Sequence, residues 1–97
     1  MAEDIRVVAL LHAKPGEEEA VKKAALACVE PSRAEETNHL YALNQDSDDP
    51  SLFVFIEHWA SKAALDAHMQ TPHFKTLAAA LDGKLAKPLK LHVLKPL

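Results

Sequence analysis

Cysteine, glycine and aromatic residues are all scarce in this sequence of 97 residues. There is one cysteine, Cys28, so no disulfide can form within the chain, which suits a reducing compartment. Its apolar helical surroundings read it as a small buried hydrophobe. There are only two glycines, Gly16 and Gly83, which excludes the glycine-rich loops that cradle nucleotide phosphates. No excess of positive charge exists either. The formal net charge is −3 and the lysines are scattered, so a nucleic-acid-binding stripe is not expected. Long apolar runs are missing too. The start, Met1 to Asp4, is acidic, and the apolar run after it ends at Leu11. The sequence therefore predicts no signal peptide and no membrane span, and a cytoplasmic protein.

What is present is the balance of one globular domain over residues 1–97, with 48% apolar and 26% charged residues. Ile5 to Ala13 is rich in branched apolar side chains and reads as a strand. Lys14-Pro15-Gly16 stops it, and Glu17, Glu18 and Glu19 crowd the start of a helix, where the dipole favours acids. Val21, Ala24, Ala25 and Cys28 form its apolar stripe, and Pro31 should end it. Asn38 to Gln45 and Leu52 to Ala60 read as strands joined by the polar turn Asp46 to Pro50. Ser61 caps a short helix, Lys62 to Met69. Thr71-Pro72 opens another, striped by Phe74, Leu77, Ala78 and Leu81 and closed by Asp82-Gly83. Leu89 to Lys95 is the last strand.

The order β-α-β-β-α-α-β fits an α+β fold, the ferredoxin-like split βαβ with an antiparallel four-stranded sheet, its first strand between the third and fourth. Strand alternation then divides the side chains. We expect the helices to cover the face bearing Val7, Ala9, Phe55 and Trp59. Val8, Leu10, Leu52, Val54 and Ile56 face the other way, with nothing left in the chain to cover them. An apolar sheet face of that kind predicts a homodimer.

Among the chemistry-bearing residues, His68 shares the inward stripe of its helix with Leu65 and Met69. It is either a packed core histidine or a proton-transfer group. Glu57 falls on the apolar face and needs a buried partner, which reads as structural. Trp59, Phe55 and Phe74 are either core aromatics or walls of a pocket, and Tyr41 lines the pocket or the interface. Six histidines raise the question of a metal. The spacing argues against one: Pro72 separates His68 from His73, so the two share no helical face, and His12 and His58 lie at opposite ends of paired strands. No His-x-Glu or Cys-x-x-Cys spacing is present.

The run Leu52-Phe53-Val54-Phe55-Ile56-Glu57-His58-Trp59, then Ala64-Leu65-Asp66-Ala67-His68, then Thr71-Pro72-His73-Phe74, resembles the antibiotic biosynthesis monooxygenase family. Lys14-Pro15-Gly16-Glu17 and the Asp48-Asp49-Pro50 turn also fit. Glu36-Thr37-Asn38 departs from the family's usual entry to the second strand. The resemblance implies a dimeric α+β barrel with a pocket between helices and sheet in each subunit. It also implies a monooxygenase that oxidises a small quinol or phenol-like aromatic with molecular oxygen, without metal or organic cofactor. His68 would be the catalytic base, and Trp59, Phe55, Tyr41 and Phe74 the substrate-binding residues. The haem-degrading branch fits less well, because the positions of its iron-binding histidine and first-strand polar residue fall near Ala78 and Ala9. A competing reading keeps the fold and pocket but makes the protein a non-catalytic small-molecule-binding or regulatory dimer.

Overall fold

The structure is a computed structural model that describes residues 4–97; Met1 to Glu3, most of the acidic start noted above, lie outside the described residues. The elements run β1 (Ile5–His12), α1 (Glu18–Arg33), β2 (Asn38–Gln45), β3 (Leu52–Trp59), α2 (Lys62–His68), α3 (Pro72–Leu81) and β4 (Lys90–Leu94). The strands form one sheet in the order β2-β3-β1-β4, antiparallel throughout. This is the expected split βαβ arrangement, with β1 between β3 and β4.

The elements start and stop where their local chemistry says. Gly16, at φ 87°, turns the chain out of β1, and Gly83, at φ 77°, turns it out of α3. The Ser61 hydroxyl accepts the Ala64 N–H, and Thr71 accepts that of Phe74, so α2 and α3 both start on side-chain caps. Pro31 behaves otherwise than expected. It lies inside α1, which continues to Arg33. Packing overrides the missing N–H there: Ser32 is fully buried, and the Arg33 Nε donates to the Tyr41 carbonyl at 3.0 Å.

Alternate residues of β1 and β3 are buried, as strand parity requires. Val7, Ala9, Leu11, Phe53, Phe55 and Trp59 lie beneath the helices and meet Val21, Ala25 and Cys28 of α1 and Leu65 and Leu77 of α2 and α3. On the opposite face, Val8, Leu10 and Val54 are only partly buried, while Ile56 is 43% and its neighbour Leu40 45% exposed. No helix among the described residues is long and apolar enough to cross a membrane.

Candidate functional site

Between the helices and the covered face of the sheet lies a cavity. The sheet contributes Ala9, Leu11, Tyr41, Phe55 and Glu57; Leu65, His68 and Met69 come from α2 and its end. Phe74, Leu77, Ala78 and Leu81 of α3 close the top, with Leu89 and Leu91 along the side. The cavity encloses about 430 Å³ counting its mouth. Its walls are apolar except at three side chains: Tyr41, Glu57 and His68.

Tyr41, Phe55, Phe74 and His68 therefore meet around one space, as their sequence positions suggested. Trp59 does not reach it. The indole is fully buried behind the wall, with its ring centroid 4.5 Å from that of His68 and its Nε1 donating to Glu57 Oε1 at 2.8 Å. The expectation that Trp59 walls the pocket is corrected to a backing role: it orients two side chains that do line the cavity. Parity explains this, because Trp59 closes β3 beneath α2, where the sheet meets the helix and leaves no gap.

His68 is held on all sides. Tyr41 and Phe74 meet it edge-on, with centroid distances of 5.4 and 5.2 Å. Its Nδ1 lies 2.6 Å from Oε2 of Glu35, which also takes a hydrogen bond from Nε2 of His73 at 2.8 Å. A carboxylate only accepts, so Nδ1 carries the ring proton and donates it. That leaves Nε2 with a free lone pair, unpartnered among the described residues, on a ring that lines the cavity.

Burial dominates the electrostatics. It lowers the pKa of His68, and the hydrogen bond and charge of Glu35 offset this in part. The ring is thus kept neutral, the state a general base needs. Burial raises Glu57 to about 7, against the lowering effect of the Trp59 hydrogen bond. It also pushes the Tyr41 phenol up, with the nearby Glu57 charge adding to the effect, so Tyr41 stays protonated. The Tyr41 hydroxyl rests against Cys28 Sγ at 3.6 Å. Cys28 is buried, as its helical surroundings implied.

Three residues of this arrangement were not among the site residues expected from the sequence. Glu57 has its buried partner in Trp59 but also faces the cavity. Glu35 and His73 converge on His68. The spacing argument against convergence of His68 and His73 fails because the short turn between α2 and α3 folds the two rings to a centroid distance of 5.8 Å without their sharing a helix. The donor atoms of Glu35, His68 and His73 all lie within 4.8 Å of one another. Glu35 carried no signal of its own in the sequence, since its place depends on α1 passing Pro31.

Comparison with known proteins agrees with this architecture. The Pseudomonas aeruginosa protein PA3566 superposes with a TM-score of 0.93 at 36% identity, over 100% of this chain and 97% of that one. Rv0793 of Mycobacterium tuberculosis superposes with a TM-score of 0.93 at 29% identity, over 98% and 96%. The Escherichia coli K12 protein named probable quinol monooxygenase YgiN is 32% identical over 95% of this chain and 97% of its own length. The family model described as antibiotic biosynthesis monooxygenase matches residues 4–80, which include β1, β3, α2 and all three polar side chains of the cavity, and the chain belongs to that family.

Proposed function

We propose that this protein is a monooxygenase that oxidises a small quinol or phenol-like aromatic with molecular oxygen, with no metal or organic cofactor taking part. The observation that carries the proposal is His68 on the wall of an apolar cavity, its Nδ1 fixed by Glu35 and its Nε2 without a partner among the described residues. In this reading Nε2 takes the substrate's hydroxyl proton. The anion passes one electron to oxygen, and the resulting superoxide and aryloxyl radical combine, forming one C–O bond. The proton returns to the distal oxygen, giving a hydroperoxide. Loss of water breaks the O–O bond and leaves a carbonyl, so one oxygen atom enters the product and the other leaves as water. The substrate supplies every electron. The protein contributes deprotonation, orientation and exclusion of water. Glu57, with a pKa near neutrality, is a proton donor for the departing water. Ala9 and Ala78 on the cavity wall offer no ligand to a haem iron and no hydrogen bond to iron-bound oxygen.

The protein acts, in this proposal, as one domain over residues 1–97 and as a homodimer in the reducing cytoplasm. The open sheet face bearing Val8, Leu10, Val54 and Ile56 meets its copy to close the barrel. Tyr41, Phe55 and Phe74 contact the aromatic ring, and Trp59 supports them from behind.

One observation favours a second reading, a binding or regulatory domain without turnover. His68 is buried and packed against Tyr41, Trp59 and Phe74, as a core histidine beside a binding cavity would be. Oxygen uptake against a panel of quinols and phenols, in the presence of a chelator, tests the proposal. Uptake with product carrying one labelled oxygen atom is expected. Binding of the same compounds without uptake would establish the second reading.

A further inference from the structure

Glu35, His68 and His73 come from three separate elements and bring one donor atom each within 4.8 Å of one another. Glu35 lies in the turn after α1, His68 ends α2, and His73 sits in the first turn of α3. Oε2 of Glu35 is 2.6 Å from Nδ1 of His68 and 2.8 Å from Nε2 of His73. We propose that these three residues bind a divalent transition ion of the zinc class.

The donor set carries the choice of ion. Two imidazole nitrogens and one carboxylate oxygen suit zinc, cobalt or nickel, and offer too few oxygens for calcium or magnesium. Ligands about 2.0–2.1 Å from a tetrahedral ion sit about 3.3 Å apart, so the two contacts to Glu35 need to open by about 0.5–0.7 Å. The side chains of Glu35 and His73 are 16% and 20% exposed, which gives an ion an approach from solvent and leaves the fourth position to water. The His68 ring cannot turn away, being packed between Trp59 and Phe74.

Binding here changes His68. An ion on Nδ1 displaces the ring proton, which moves to Nε2, so the nitrogen that Glu35 leaves free becomes a donor instead of an acceptor. Zinc would therefore switch off a base at Nε2. That consequence rests on the proposed catalytic role; the binding does not.

Cobalt(II) titrated into chelator-treated protein tests the site, read by its visible absorption and independent of turnover. We expect a tetrahedral cobalt band saturating at one equivalent and displaced by zinc. Glu35→Gln and His73→Gln, with folding checked by circular dichroism, should weaken binding by roughly a hundredfold or more. His58→Ala, which disrupts the exposed Asp4–His39–His58 group on the other face of the sheet, should leave the band unchanged. Nitrogen-15 shifts of the wild-type His68 ring should report the proton on Nδ1 before zinc and on Nε2 after. Absence of the band, its survival in both substituted proteins, its loss in His58→Ala, or a His68 ring unmoved by zinc would each overturn the proposal.

Discussion

Nδ1 of His68 meets Oε2 of Glu35 at 2.6 Å across 33 residues of chain, so one turn at the end of α1 sets the tautomer of a ring on the cavity wall. The arrangement follows the logic of a carboxylate-oriented histidine base: the carboxylate takes no proton but fixes which nitrogen is free.

Glu35→Gln should therefore act through His68. Both the hydrogen bond and the charge of Glu35 raise the pKa of His68 against burial, which lowers it. Removing the charge lowers that pKa further, so the base stays unprotonated to lower pH. The acid limb of the kcat/KM profile should move to lower pH, and the plateau should fall roughly tenfold or more. A pH profile measured on both proteins checks this. An unmoved acid limb would mean that Glu35 only packs.

Glu57 should leave a signature in stability. Its folded pKa of about 7 lies above the ordinary 4.5, so the fold favours the protonated acid. That contribution is complete below about pH 4.5 and is lost as pH rises through about 7. Glu57→Gln keeps an acceptor for the Trp59 indole and does not titrate. Relative to wild type it should gain about 3 kcal/mol between those two pH values. Urea denaturation of both proteins at several pH values measures the difference, and parallel curves would contradict the buried carboxyl.

The open sheet face should hold two copies together. Wild type is expected at twice the 10.6 kDa chain mass by light scattering. Val54→Asp puts a charge in the middle of that face and should give monomer or insoluble chain. A wild-type monomer at micromolar concentration would refute the interface.

The sheet order, the covered face and the two capped helices were legible because each rests on short-range chemistry: alternation in β1 and β3, Ser61 and Thr71 as caps, Gly16 and Gly83 as stops. The inward turn of His68 was legible for the same reason, since Leu65 and Met69 share its stripe. Pro31 misled because a local rule met long-range packing, with Ser32 buried and Arg33 bonded to β2. The partners of His68 were hidden for a related reason. Glu35 and His73 reach it only through the path of two turns, and periodicity within a helix says nothing about side chains on different elements. Trp59 was misplaced by one layer: parity gives the face of a strand, not whether a helix seals it.

The claim on which the rest depends is that His68 removes a proton from a cavity-bound aromatic. The most direct test is kcat/KM for quinol oxidation by wild type and His68→Ala, with the thermal midpoint measured on the same preparations. A loss of roughly a hundredfold or more in kcat/KM per folded molecule is predicted. A His68→Ala protein that is less stable yet keeps full specific activity would contradict it, and would leave His68 as core packing beside the cavity.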